Sequence, residues 1–566
     1  MTMLQEARKN FKAIHLSFSY LVPVILGTLF GMCSFIGQHE GKIDTRNILL
    51  YANILFYILL FTLFFFTIIK MIAYANQHRS SLDKPFAPLY KLTLDWSPRS
   101  VITLWCAVTV LWIPYFIAYF PGVYWYDTSW QLMEYFDSSV PFTDHHPFMM
   151  TYLFVGFTYI GMALFKNAIY GLYLLIIVQS LLSTLAIASI VCYTSKHRVP
   201  WKCRFLTLLF LAICPIIPMM SMSLAKDTFN TPFFVFFSIA FCELWRTQGA
   251  ILKSIPFDIF LITNALIVSL TKKTGLYIIT LALFLLACIV VKYWRRKLVT
   301  IALTSIPYLT VGILIPTFVL PALHITPGEN SEILAVPMEQ VANVVHNHKD
   351  DLSASEINRI QQIYRMNVDQ LQNAYCWYKA DPIKGQELSS EDEHALIAIW
   401  SKQLVKYPGD MIAGWAGLST AWFSFNVVAE NKQNLNMLLP INNSNHHYQG
   451  IERYVPWTDN TKAGNAVGKF YTNTILNVPV FNIVYQKALW ATILPFVAIF
   501  LIFRFNRNNK LNLLVLNMPM LLTMLVLFAG PISIYSEATR YVLPMMYIVP
   551  LFLSLTLEYS QPEEDK

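Results

Sequence analysis

Charge is scarce in this sequence. Only 13% of its 566 residues are Asp, Glu, Lys or Arg, about half of the ~25% usual in a soluble domain. With 56% hydrophobic residues, the chain has too few polar groups to cover its apolar surface in water, which excludes a soluble or a disordered protein. Pairable cysteines are lacking too. Seven of the eight (Cys33, Cys106, Cys192, Cys203, Cys214, Cys242, Cys288) lie in or beside apolar runs, and Cys376 stands alone in the one long polar region. A disulfide framework is therefore excluded. The net charge of +8 is spread over short basic clusters between apolar runs, so it gives no support for a nucleic-acid partner and fits the basic bias of cytoplasmic loops. No internal repeat, heptad or low-complexity tract is visible.

Apolar length is what the chain has. A hydrocarbon core of ~30 Å takes about 20 apolar residues in a helix, and runs near that length occupy 16–36, 48–74, 101–120, 169–193, 204–223, 228–246, 255–271, 276–293, 298–320, 486–503, 511–530 and 540–557, with a thirteenth at 148–166. The basic clusters decide the thirteenth. With Arg8, Lys9 and Lys12 inside, Arg79, Lys84, Lys91 and Arg99 are also inside. Lys196, Arg198, Lys202 and Arg204, then Lys292, Arg295, Arg296 and Lys297, then Arg504, Arg507 and Lys510, all fall inside only if 148–166 does not cross. The expectation is an all-α polytopic membrane protein of twelve spans, both termini cytoplasmic, with 148–166 lying in the outer interface. The basic start has no small-residue cleavage site after its apolar run and is read as a retained helix.

This divides the chain into a membrane bundle over 1–320 with a first outer loop at 121–168, an extracytoplasmic domain over 321–485, and membrane helices over 486–566. The external region reads as mostly helical. Ser353 with Glu356 and Ser390 with Glu393 have capping-box spacing. Pro408-Gly409 stops a helix, another is expected over 411–427, and 428–470, with Asn442 to His447, reads as a loop.

Unusual chemistry gathers on the outer side. In the first outer loop, Asp127 is placed to cap a short helix on which residues 127, 131 and 134 (Asp127, Gln131, Glu134) share one face. Asp144-His145-His146-Pro147 follows, with groups suited to a divalent ion, a phosphate or a sugar hydroxyl. Adjacent histidines cannot both ligate one metal in ordinary helical geometry, so at most one, His146, is expected to meet an ion. Two short outer turns carry lysines against the usual bias: Lys226-Asp227 and Lys272-Lys273. An anionic group at the outer face, such as a lipid phosphate, would account for them, and Arg540-Tyr541 adds a bidentate phosphate donor. The plain readings are a helix cap for Asp127, a polar turn for His145 and His146, snorkelling anchors for Lys272 and Lys273, and an exposed helix face for Glu339 and Gln340.

The Pro-Gly-Val run ahead of Asp127 and Gln131, with Asp144-His-His-Pro-x3-Thr151, resembles the first outer loop of bacterial membrane proteins of the GT-C glycosyltransferase superfamily, specifically its DUF6020-like group. Lys226-Asp227, Val336-Pro-Met-Glu-Gln340, Lys406-Tyr-Pro-Gly-Asp410 and Arg540-Tyr541 extend the resemblance over about 100–550. The chain departs from the group's pattern at Glu339-Gln340, where a Gln pair is usual, and at Lys272-Lys273, where an Arg and an Asn-Gly are usual. The resemblance implies a GT-C-like bundle that moves a sugar from a polyprenyl-phosphate donor to a cell-envelope glycan acceptor at the outer face of the bilayer, with inversion. It implies Asp127, or Asp144 in its stead, as base. Lys226, Lys272, Lys273 and Arg540 would hold the donor phosphate, Gln131, His145, Asp227, Gln340 and Tyr541 the substrates, and His146 a divalent cation (Mg or Mn). The rival readings are a transporter or flippase, weakened because the ionisable Lys70, Glu243 and Asp258 lie near cytoplasmic ends and the span centres hold little polar beyond Gln179 and Asn264, and a lipid-linked glycan polymerase or ligase.

Overall fold

The computed structural model describes residues 19–43, 47–77, 94–328, 330–384, 387–425, 427–429, 434–441, 447–457, 461–506, 509–530 and 535–560. Arg8, Lys9, Lys12, Arg79, Lys84, Lys91, Arg507 and the run Asn442 to His446 lie outside them. Helices α1 (Leu21–Gln38), α2 (Ile48–Gln77) and α3 (Pro98–Ala118) lead into the first polar loop, which holds strand β1 (Val123–Tyr124) and helix α4 (Tyr126–Phe136). Helices α5 (Phe148–Phe165), α6 (Ala168–Ser195), α7 (Trp201–Ile213) and α8 (Ile216–Ser221) follow, then strand β2 (Ser223–Leu224). After it come α9 (Lys226–Arg246), α10 (Ile255–Thr271), α11 (Lys273–Ile289) and α12 (Trp294–Pro307), which continues through a π-helical segment, Tyr308–Val319.

The chain is mostly helical, and eight helices among the described residues are long and apolar enough to cross a membrane: α1, α2, α3, α5, α6, α9, the continuous Trp294–Ala322 and the Glu537–Tyr559 part of the last helix. Helices α10, α11 and the run Leu489–Phe505 are apolar but shorter. Two of the twelve expected runs are not single straight helices. The run 204–223 breaks at Cys214-Pro215, where proline supplies no amide hydrogen to continue the ladder, leaving α7 and α8. The run 511–530 bends by 67° between its two halves, again at a proline-bearing joint, Asn517-Met518-Pro519. Helices α2 and α3 bury few of their side chains and present Leu55, Phe56, Leu59, Leu63, Val110 and Ile117 to the outside. Apolar faces of that extent suit lipid rather than water.

The polar region holds α13 (Ala335–His348), α14 (Ala354–Tyr364), α15 (Val368–Ala374), α16 (Ser390–Lys406), α17 (Pro408–Leu418) and α18 (Lys462–Phe470). Helices α13 to α17 close around an apolar core of their own, with Met338, Val341, Val345, Ile360, Leu371, Leu396 and Met411. Ser353 caps α14 through the Glu356 amide as its spacing predicts. The next cap sits one residue earlier than expected: Ser389, not Ser390, accepts from the Asp392 amide. The helix expected over 411–427 begins at Pro408 and ends at Leu418, and the loop expected over 428–470 contains α18.

The chain closes with α19 (Leu494–Phe505), α20 (Lys510–Leu516), α21 (Met518–Ala529) and α22 (Tyr535–Tyr559). Helix α22 is the centre of the bundle, with Val542, Met545, Tyr547, Val549 and Phe552 fully buried. Its far end belongs to a polar lock. There Glu243 on α9 accepts from Tyr193 at 3.0 Å and Lys196 at 2.9 Å and takes both arms of Arg246 at 3.0 and 2.9 Å, while His197 meets Tyr559 at 2.7 Å. This lock and the first turn of α9 stand a helix length apart, roughly 30 Å at 1.5 Å per residue.

Glu339 is not on an exposed face. It is fully buried in α13, and neither carboxylate oxygen accepts a hydrogen bond. Burial, and secondarily the charge of Asp381, pushes its carboxyl well above the usual range. The folded chain therefore holds a proton that the unfolded chain releases above ~4.3, so stability falls as pH rises from that value toward the folded one. Glu339→Gln removes the penalty. The stability gap between the variant and the parent should widen by about 1.4 kcal/mol per pH unit within that window, as read by denaturant unfolding in detergent at pH 5, 6 and 7.

Candidate functional site

The site is made where four helix starts and one short loop meet. Strands β1 and β2 form a two-residue parallel pair, Val123 opposite Ser223 and Tyr124 opposite Leu224. Its position is held from three sides. The Gln179 amide on α6 donates to the carbonyls of Ser221 and Ser223 at 2.8 and 2.9 Å, the Trp125 indole to the Ser223 hydroxyl at 3.1 Å, and the Thr128 hydroxyl to the Leu224 carbonyl at 2.6 Å. The pair fixes the start of α4 against the start of α9, and so Asp127 against Lys226 and Asp227.

Asp127 is not a cap. Trp125 is the residue ahead of α4, and Asp127 sits in the helix's first turn, where a carboxylate is favoured by the helix dipole. Its Oδ2 accepts from Arg540 Nη1 on α22 at 2.7 Å. The Arg540 guanidinium lies over the Trp125 and Tyr541 rings, 4.9 and 5.0 Å from their centroids, and its Nη2 donates to the Tyr541 hydroxyl at 3.0 Å. Such stacking holds a guanidinium in plane while leaving its edge for anions. The second carboxylate, Asp227, is fully buried. Its Oδ1 accepts from Lys272 at 2.6 Å, and its Oδ2 lies 3.7 Å from Arg540 Nε. Lys272 is the single extended residue between α10 and α11, so its side chain leaves both helices and crosses to α9. Its ammonium also lies 5.5 Å from the centre of the Tyr541 ring.

Lys226 donates to His146 Nδ1 at 2.9 Å. Burial, then the neighbouring Lys226 charge, pulls the His146 imidazole well below its ordinary value, so it stays neutral and accepts. Burial pushes the Asp127 carboxyl up, but the charges of Arg540 and Lys226 outweigh it and hold Asp127 well below the usual carboxylate range. Three cations thus face two carboxylates, a surplus of one positive charge in a low-dielectric setting.

The remaining predicted residues divide. Asp144 and Lys273 join the edge of the site, paired at 2.9 Å with the lysine half exposed. Asp144 also accepts from the Phe148 amide at the start of α5, at 3.3 Å. His145 packs edge-on against His146, ring centres 4.6 Å apart. Gln131 supports the site by donating to Thr151 of α5 at 3.0 Å, and Glu134 accepts from Thr143 at 2.6 Å, so the 127–131–134 face does turn inward. Gln340 is elsewhere. It bridges α16 and α17 inside the polar region's core, donating to the Met411 carbonyl at 2.6 Å and accepting from the Trp400 indole at 2.7 Å, so the exposed-face reading fails for it as well as for Glu339. Among the described residues no three His, Cys, Asp or Glu side chains form a group that could hold a metal ion, and the Lys226 ammonium occupies Nδ1 of His146. Sequence reasoning missed Trp125, whose ring supports Arg540, and Gln179, whose only signal was an amide in an apolar run.

A family model described as a family of unknown function, DUF6020, matches residues 135–566. The chain belongs to the DUF6020 family. The DUF6020 match takes in Asp144, His146, Lys226, Asp227, Lys272 and Arg540, with Asp127 just ahead of its first residue. No curated protein and no solved structure matches the chain.

The neutral state of His146 has a measurable cost in acid. The unfolded chain takes up this proton near pH 6.5 and the folded chain only well below it, so the contribution is complete above 6.5 and is lost as pH falls. Between pH 7 and pH 5 the thermal midpoint of His146→Gln, which keeps an acceptor for Lys226, should drop less than that of the parent. An equal drop in both would remove His146 from this role.

Proposed function

We propose that the chain is a membrane glycosyltransferase of the GT-C type, moving a sugar from a polyprenyl-phosphate donor to a cell-envelope acceptor on the extracytoplasmic face, with inversion. One observation carries the reading: a partly exposed carboxylate, Asp127, is held by Arg540 of α22 in a cluster that also takes in Lys226 of α9 and Lys272 of the α10–α11 joint. Asp127 is the base. It takes the proton of the acceptor hydroxyl as that oxygen attacks the anomeric carbon. The bond from that carbon to the phosphate oxygen breaks, and the departing polyprenyl phosphate carries its negative charge toward Arg540, Lys226 and Lys272. Asp227 aims Lys272. No step needs a metal ion.

The membrane assignment rests on the basic clusters and on α5. Helix α5 starts directly after His146, and it ends two residues before α6. The first turns of α6 pack on the loop end of α3 through Tyr173 with the Phe116 carbonyl at 2.6 Å and Tyr170 with the Phe120 ring at 5.6 Å. Both ends of α5 therefore belong to the site end, which supports an outer interfacial helix. Counting the broken α7–α8 and bent α20–α21 as one crossing each then gives twelve crossings, both termini cytoplasmic, and α13 to α18 outside. A lying α5 beside the cation cluster also suits a lipid-borne donor, whose chain stays in the bilayer while its headgroup enters the site.

In a strain lacking the gene, one glycosyl substituent should vanish from the envelope and return with the wild-type gene. Asp127→Asn should fail to restore it, with transfer lowered by about 100-fold or more and membrane abundance unchanged. Full restoration by Asp127→Asn would refute the assignment of the base; loss of an entire polymer would point to a polymerase, and an intact envelope with a transport defect to a flippase.

A further inference from the structure

The pairing of Asp127 with Arg540 sits badly with a base. A carboxylate held well below its usual range by a guanidinium is a poor proton acceptor, and the same contact covers the Arg540 edge that a phosphate would use. The two buried atoms beside it suggest how this is relieved. Arg540 Nε carries a hydrogen that no acceptor takes, and Asp227 Oδ2 accepts no hydrogen bond. They face each other across 3.7 Å, slightly more than a hydrogen bond, and a shift of under about 1 Å would join them. Leaving both unsatisfied is costly in a buried site.

We propose that Asp127 is a built-in stand-in for an anionic phosphodiester, and that a phosphodiester headgroup entering the cluster displaces it and turns Arg540 onto Asp227, freeing the Asp127 carboxylate only when the donor is present. This rests on the phosphate-binding part of the function proposed above and adds a coupling between donor binding and the base.

The geometry decides which partner yields. Asp227 is fully buried and tied through its other oxygen to Lys272 at 2.6 Å, so it cannot leave. The Arg540 side chain is 5% exposed and stacked on two rings, so it can slide within its plane but not withdraw. Asp127 alone keeps an open side, 24% of its side chain, on a short helix rather than a long one. Charge agrees with this. A phosphodiester carries one negative charge, as the carboxylate does, so the exchange leaves the cluster's surplus unchanged and avoids the penalty of an uncompensated buried cation. Arg540 offers the entering group Nη1, the nitrogen released by Asp127, and keeps Nε for Asp227. The acceptor hydroxyl then meets a carboxylate with no guanidinium on it. In the absence of donor the base stays masked.

The test uses the full-length protein in detergent, with decyl methyl phosphate as a lipid-like probe and dimethyl phosphate as the bare headgroup. Carboxylates are labelled at pH 5.5 with a water-soluble carbodiimide and an amine, and Asp127 is followed by mass spectrometry. A simple occupant would shield Asp127 and slow its labelling. Displacement predicts the opposite, a several-fold faster labelling of Asp127 on binding, with Asp227 unchanged. Acceleration by both probes assigns recognition to the headgroup; acceleration by the decyl ester alone assigns it to a lipid. In parallel, Asp127→Asn, which lacks the charge and competes only weakly for Arg540, should bind decyl methyl phosphate about 10-fold more tightly than the parent by titration calorimetry. Slowed or unchanged labelling, no binding of either probe, or equal affinity in a folded Asp127→Asn would each overturn the proposal. Accelerated labelling in a protein that transfers no sugar would leave this coupling standing and defeat the glycosyltransferase reading instead.

Discussion

A single guanidinium organises one end of this protein. Arg540 joins the deeply buried last helix, α22, to the first polar loop through Asp127 and faces α9 through Asp227. A cation so deep is tolerable only with anions around it, because taking a charge out of water costs several kcal/mol before any pairing returns it. The carboxylates, the two lysines that balance them and the rings that support the guanidinium are thus parts of one electrostatic arrangement. Removing one partner would strand another. The rest of the end is built to hold these groups at fixed distances: a parallel strand pair two residues long, an amide from α6 that grips it, and a joint between α10 and α11 reduced to one extended residue.

The opposite end of the bundle follows another logic. Glu243 collects Lys196, Arg246 and Tyr193 in a saturated set of hydrogen bonds. It has the character of a clasp among α6, α9 and the turn after α6, and its two cations, each about a third exposed, give their surplus charge to water. The site end keeps an excess positive charge and two unsatisfied atoms, Arg540 Nε and Asp227 Oδ2. The Glu243 carboxylate is fully paired while the charged atoms Arg540 Nε and Asp227 Oδ2 are not, and native structures rarely leave buried polar atoms unpaired without cause.

The legibility of the site was uneven. The lysines at 226 and 272 stood out because they broke the charge bias of a membrane chain, and the structure brings both to the Arg540 neighbourhood. Asp127 stood out as a carboxylate at a helix start, although it is a first-turn residue and not a cap. Gln340 joins them only through the family resemblance, yet it spends both ends of its amide inside the polar region's own core. Glu339 beside it reads as solvent-facing from sequence, because a glutamate usually is, and the fold buries it completely. His146 was read as an ion ligand, and the group it meets is an ammonium.

Composition and run length alone determined that the chain is helical and apolar enough for a membrane, because burying backbone in lipid leaves helices as the available solution for such runs. They also marked where polar chemistry interrupts the apolar pattern. Only the tertiary structure decided that residues 127, 146, 226, 227, 272 and 540 share one site. Those contacts join positions up to 413 apart in the chain, and side-chain periodicity carries no information about which helix ends meet. It likewise decided where proline breaks a run, and which of two carboxylates an arginine between them holds.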